Sequence, residues 1–209
     1  MLVISSAANP VYKAHKRVWR TYMNKHPDID CYFIEFVPNL RGPTLTQNTL
    51  YLRGQDTYPS IIDKTIKSLE YFTSRKSYDF VVRTNLSSVW VFPKLLKFLE
   101  TAPRTGLYGG VINTNFIIPY ISGAGITMSM DICRMLLLNK ELVYSVKLID
   151  DVDIGYTLHQ RGVVTSYIPW CYVKSTEDTK KEGFHYRVRV HGDRLQEEGL
   201  MMSILNNAR

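Results

Sequence analysis

Tyr78-Asp79-Phe80-Val81-Val82-Arg83-Thr84-Asn85-Leu86-Ser87-Ser88 is a short apolar run that stops abruptly in small polar residues. The run reads as a buried strand, and in open α/β sheets ligands lie in the crevice beyond the carboxyl ends of the strands. The polar residues after Val82 are then placed to meet a ligand. The same residues also suit a turn, with Thr84-Asn85 and Ser87-Ser88 capping the next helix. Other segments must weigh the two readings.

Upstream, Met1 to Ser6 reads as a first strand. Asn9-Pro10 opens a helix with Val11, His15, Val18, Trp19 and Tyr22 on one stripe and Lys13, Lys16, Arg17 and Arg20 on the other. Asp30 to Val37 is a second strand, Pro38 to Gly54 a long loop of functional or mobile character, and Pro59 the start of a second helix bearing Ile62, Ile66, Leu69 and Phe72. Downstream, a helix carries Leu95, Leu96, Phe98 and Leu99, and Leu107 to Ile112 forms a further strand. Asn115 to Tyr120 is extended, Ile126 to Ser129 leads into a helix over 130–138, and Asp150 opens a short helix ending at Arg161-Gly162. Val163 to Ile168 is another strand, and the tail from Gly192 is an amphipathic helix with Leu195, Leu200, Met201 and Ile204. Strands alternating with helices predict one α/β domain, a central mostly parallel mixed sheet flanked by helices.

A chain of 209 residues can bury a full core. Its 26 Lys and Arg against 19 Asp and Glu leave +7, which suits an anionic ligand without naming it. Cys31, Cys133 and Cys171 show no metal-ligand or redox spacing, and a sparse, odd count fits a reducing compartment. No apolar run reaches the length of a signal peptide or a membrane span, so a soluble, cytoplasmic protein is expected. Nucleic-acid binding finds no support beyond the basic charge, since neither a recognition-helix pattern nor an aromatic stacking motif is present.

Two segments carry chemistry. Asp150-Asp151 begins a helix, where carboxylates serve as caps favoured by the dipole or, ionised near neutral pH, as a general base toward a hydroxyl. Neighbouring helical residues diverge, so at most one faces a substrate and the other caps the helix or holds its neighbour. Phe184-His185-Tyr186-Arg187-Val188-Arg189-Val190-His191 alternates, and an extended chain puts both histidines and both arginines on one face. That face suits phosphate or a divalent ion, or is a solvated edge strand whose charge deters aggregation. The loop residue Arg53 and the helix residues Arg17 and Lys64 are lesser candidates, since single basic residues are usually just exposed.

Taken in order, four segments resemble glycosyltransferases of the GT-A fold, in layout nearest the β-1,3-galactosyltransferase and Fringe-like group. Gln55-Asp56-Thr57-Tyr58 with Lys64-Thr65 is similar to that group's acidic-x-Tyr and Lys-Thr pair, and Phe80 to Ser88 occupies the place of its strand and Asp-x-Asp motif. Tyr120-Ile121-Ser122-Gly123-Ala124-Gly125 resembles its Tyr-Cys-Ser-Gly-Gly-Gly segment, and Ile149 to Gly155 its Glu-Asp-Val-x-x-Gly segment. The chain is also similar to the amino-terminal domain of a chlorella-virus glycosyltransferase, which would place it in viral glycoprotein synthesis in the host cytoplasm.

The resemblance implies a single GT-A domain over 1–209, with a nucleotide half to about residue 90, an acceptor half to about 192, a C-terminal helix over 193–209, and room for further domains beyond. It implies a UDP-sugar donor, a glycan acceptor and an inverting mechanism, with Asp151 as base beside Asp150. Ser5, Ser6, Arg17, Arg53, Asp79, Arg83, Asn85 and Ser87 fall to the nucleotide, and Ser122, Gly123, Ala124 and Gly125 to the sugar and acceptor.

One departure stands out. Asn85-Leu86-Ser87 replaces Asp-x-Asp, so both metal-binding carboxylates are missing, and neutral oxygens bind Mg²⁺ or Mn²⁺ more weakly. Either a loosely held Mn²⁺ (or Mg²⁺) sits on Ser87, His191 and the diphosphate, with Asp79 behind them, or Arg and Lys side chains replace it; the expectation adopted is the metal. The rival to an enzyme is a non-catalytic nucleotide- or glycan-binding module.

Overall fold

The computed structural model describes residues 1–6, 9–57 and 60–208. The first half runs β1 (Leu2–Ile4), α1 (Pro10–Met23), β2 (Tyr32–Val37), β3 (Thr44–Thr46), β4 (Thr49–Arg53), α2 (Ile61–Thr73), β5 (Phe80–Asn85), β6 (Ser88–Trp90) and α3 (Phe92–Thr101). It continues through β7 (Tyr108–Gly110), β8 (Ile112–Asn113), β9 (Tyr120–Ile121), β10 (Gly125–Ser129), α4 (Met130–Leu138), α5 (Lys140–Val146) and α6 (Asp150–Gln160). The last segments are β11 (Ser166–Tyr167), β12 (Cys171–Val173), β13 (His185–Val188) and α7 (Gln196–Asn207).

Eight strands form the main sheet in the order β11-β7-β10-β5-β1-β2-β4-β3, in which β10 and β3 run against the rest. Strand alternation divides the core between its two faces. Ile34, Phe36, Leu50, Leu52 and Val81 pack toward α2, α4 and α6 with Ile66, Leu136 and Ile154. Val3, Phe33 and Val82 belong to a second cluster, with Trp19 of α1, Leu95 of α3 and Met201 of α7. Both faces being covered is why the central strands read as near-continuous apolar runs.

The first helix begins as the sequence dictates, with Asn9 Oδ1 accepting from Val11 N at 2.8 Å and Pro10 in the first turn. It buries Ala14, His15, Val18, Trp19 and Met23. The C-terminal helix packs on it: His15 Nε2 lies 3.1 Å from Glu197 Oε2, both side chains fully buried.

Three expectations are corrected. The span Pro38 to Gly54 is no simple loop: it holds the β3–β4 hairpin, and β4 extends the sheet parallel to β2. Thr84 and Asn85 are still strand and Ser88 begins β6, so none of these polar residues caps α3, whose N-cap is Val91 with no side-chain bond. The helix instead opens with Pro93 in its first turn. Of Val163 to Ile168 only Ser166–Tyr167 pairs, as a short edge strand. The helix start expected at Pro59 lies outside the described residues, and α2 runs from Ile61.

Candidate active site

A hollow of about 600 Å³ opens at the carboxyl ends of β1 and β5. Ser5 and Ser6 follow β1, Asn85 and Ser87 come from the end of β5, Ser122 to Ala124 precede β10, and Asp150 and Asp151 start α6. Lys64 of α2, Asp56 after β4, and Arg187 and Arg189 on β13 and just beyond complete its charged lining. Because β10 runs against β5, its beginning meets the end of β5, which brings Ala124 O within 2.7 Å of the Thr84 hydroxyl that donates to it.

At the α6 corner each acid has its own task. Asp153 Oδ1 accepts from Leu148 N at 2.9 Å and closes the turn before the helix. Asp150 Oδ2 accepts from Nη2 of Arg83, whose Nη1 donates to the carbonyl of Gly123. Asp151 has no cation within ion-pair distance among the described residues; Oδ2 accepts from Gly123 N at 2.7 Å and Oδ1 from Val152 N at 3.1 Å. Burial, and then the charge of Asp150, push its carboxyl above the ordinary aspartate range, offset in part by the Gly123 N–H and by Arg83. Raising the pKa of a carboxyl group makes its ionised form a stronger proton acceptor. Gly123 leaves room for this packing: a Cβ there would lie 2.7 Å from Arg83 Nη1 and 3.2 Å from Asp151 Oδ2.

At the β5 corner the charge is positive. Nη1 of Arg187 donates to Asn85 Oδ1 at 2.6 Å and to Ser87 Oγ at 2.5 Å. The strand pairing of Arg187 with Ser88 on β6 holds the guanidinium there. Burial, and then the charge of Arg189, lower its pKa to about 10, so it remains a cation at neutral pH. Lys64 Nζ donates to Ser5 O at 2.6 Å and pairs with Asp56, while Ser5 Oγ donates to Glu35 Oε1 at 2.7 Å.

Ser5, Ser6, Arg83, Asn85, Ser87, Ser122, Gly123, Ala124, Asp150 and Asp151 thus meet around one hollow. Other predicted residues do not reach it. Arg17 is on the outer side of α1, where Nη2 donates to both oxygens of Glu198 at 3.1 Å. Arg53 ends β4 exposed and outside the lining. Asp79 pairs with Arg104 at the start of β5, and at about 3.3 Å per residue a strand of this length puts it roughly 20 Å from the end that forms the site. Gly125 is buried beneath His185 and Trp90, whose Cε1 and Cζ2 atoms lie 2.3 and 2.6 Å from where a Cβ would stand.

The alternating face of β13 is also divided. His185 is buried and stacks on Trp90 with ring centroids 3.9 Å apart, burial holding its imidazole down to about 3, so it is a neutral core residue and no phosphate ligand. His191 lies exposed beyond the strand and does not line the hollow. Tyr12, on the third helical position of α1, lines the hollow and was missed; the signal was its place at the start of a helix that follows a strand end.

The divalent ion implied by the resemblance does not suit these residues. Asn85 Oδ1 and Ser87 Oγ are occupied by a guanidinium, His191 is elsewhere, and no group of three or more His, Cys, Asp or Glu among the described residues is arranged to hold a metal.

No family model matches the sequence, and no curated protein matches it. Among solved structures, a glycosyltransferase involved in the glycosylation of the major capsid of PBCV-1 superposes with a TM-score of 0.55 at 12% identity, over 96% of this chain and 98% of that one. No helix among the described residues is long and apolar enough to cross a membrane. At that identity the likeness lies in the backbone, and what this chain shares with that glycosyltransferase is its fold, a mixed α/β sheet between helical layers.

Proposed function

We propose that the chain is a GT-A glycosyltransferase of the β-1,3-galactosyltransferase and Fringe-like group, moving a sugar from a UDP-sugar to a hydroxyl of a glycan acceptor with inversion. Asp151 takes the proton of the acceptor hydroxyl as that oxygen bonds to the anomeric carbon. The bond from that carbon to the diphosphate breaks on the opposite face, its electron pair staying on the β-phosphate oxygen. Arg83 holds Asp150 and the Gly123 carbonyl, so that the Gly123 N–H meets Asp151 in one orientation. Preorganisation of this kind costs no rearrangement during the reaction.

The observation that carries this reading is the charge layout of the hollow. Lys64 with Asp56 and Arg83 with Asp150 pair off, leaving one carboxylate, Asp151, and two arginines, Arg187 and Arg189, without a salt bridge among the described residues. A base and an anion-holding patch in one hollow are what transfer from a sugar diphosphate needs. The test is release of UDP from a panel of UDP-sugars with and without glycan acceptors, with the anomeric configuration of the product read by NMR. Turnover with inversion that Asp151→Asn abolishes supports the reading. The missing Asp-x-Asp carboxylates favour the rival, a binding module; UDP binding without turnover of any donor would establish it.

A further inference from the structure

We infer that Arg187 takes the place of the divalent cation, so that this site holds a nucleoside diphosphate, and neutralises it as it leaves, without metal. The inference rests on the transferase reading for the identity of the ligand, and on the Asn85–Ser87–Arg187 cluster for the absence of metal.

Three observations carry it. First, divalent ions of this kind are held through carboxylates, and the residues at the end of β5 offer only an amide oxygen and a hydroxyl. Second, those oxygens are already acceptors for Arg187 Nη1, at 2.6 and 2.5 Å, and a metal bound there would have to displace a cation and then remain beside it. Substituting Asn and Ser for carboxylates has the opposite effect on a guanidinium. It anchors the group by hydrogen bonds without cancelling its charge, which stays available to a ligand.

Third, the rest of the fork points to a use. Among the described residues Arg187 makes hydrogen bonds through Nη1 alone and no salt bridge, although it lines the hollow. Arg189 stands two residues along the same alternating strand direction, lines the same hollow, and has no carboxylate partner among the described residues. Paired guanidinium groups bind phosphate oxygens bidentately and match a diphosphate, whose charge rises when the anomeric bond breaks. Main-chain bonds fix this strand from both sides, from β12 and from β6, so the cations are preorganised as a bound metal would be.

The test is calorimetric titration of the chain with UDP, and in parallel with ADP, CDP and GDP, in excess EDTA and again in millimolar Mn²⁺. The expected result is binding of a nucleoside diphosphate in EDTA, with an affinity that Mn²⁺ changes by no more than about twofold. Arg187→Met should weaken that binding by about tenfold to a hundredfold, the usual range for losing a hydrogen-bonded charge, and Arg189→Met by less. Arg187→Lys, which keeps the charge and loses the fork, should fall between. Thermal melts of each variant separate loss of binding from loss of fold, and the wild-type comparison of EDTA with Mn²⁺ needs no variant at all. Binding that appears only with Mn²⁺, or an Arg187→Met chain that folds and binds as wild type does, overturns the inference while leaving the transferase reading standing. No binding of any nucleoside diphosphate in either condition overturns both.

Discussion

The two corners of the hollow handle charge in opposite ways. At the start of α6 two carboxylates stand side by side, and one of them, Asp150, is paired with Arg83, while the other makes no ion pair among the described residues. At the end of β5 the neutral oxygens of Asn85 and Ser87 position an arginine without neutralising it. In each corner a group that faces the hollow is held by hydrogen bonds that leave its charge available: Asp151 by the N–H groups of Gly123 and Val152, Arg187 by Asn85 and Ser87. The comparison teaches that ion pairs here serve as supports, and that the unpaired groups are the ones to test.

The largest effect is expected from removing the unpaired acid. Asp151→Asn should lower kcat by about 10²–10⁴, the range for a general base, with little change in donor affinity. Steady-state kinetics and UDP titration together check this. The same carboxylate should set the acid limb of the rate profile, with activity falling as pH drops through a value above that of an ordinary aspartate.

Next comes the supporting pair. Arg83 and Asp150 are 3% and 14% exposed, and Arg83→Met would strand Asp150 beside Asp151, two like charges without their counter-ion. A loss of about 3 kcal/mol in denaturant unfolding is expected, as for a buried pair broken on one side. Gly123→Ala is milder: its methyl group must push Arg83 or Asp151 aside, and a displaced base should cost on the order of tenfold in kcat with the melting temperature nearly kept.

The smallest effect is on stability. Since the folded chain holds the Asp151 proton more tightly than the unfolded chain does, the stability this lends is present below the unfolded pKa of about 3.9 and is lost as pH rises through the folded value. Asp151→Asn, which never ionises, should therefore melt no lower than wild type at neutral pH, and any advantage should vanish in acid. A lower melting temperature at neutral pH would show that the Asp151 carboxylate is a structural support, and would erase the distinction between paired and unpaired groups.

Much of the architecture was legible along the chain because local patterns and tertiary packing agree. Asn9-Pro10 does open α1, the apolar spacing over 61–73 is α2, and Met130 to Leu138 is α4. The β3–β4 hairpin escaped notice since its first strand, Thr44–Thr46, is exposed throughout and carries no apolar alternation to mark it. In the site, the Asp150-Asp151 pair and the polar end of β5 were visible as motifs. Alternation grouped His185, Arg187, Arg189 and His191, yet their fates differ: Trp90 and the bare backbone of Gly125 draw His185 into the core, and the strand ends before His191.

Sequence alone determined that strands and helices alternate, that an acidic helix start follows a glycine-bearing segment, and that the apolar run of β5 ends in the neutral side chains of Asn85 and Ser87. Those are properties of neighbouring residues, governed by periodicity, capping and residue type. Which acid is paired, which arginine reaches Asn85, and which basic residues turn away from the hollow were decided only by the tertiary structure. Arg83 meets Asp150 across 67 positions and Arg187 meets Asn85 across 102, and contacts that distant depend on the antiparallel course of β10 and on β13 joining β6, which no local pattern encodes.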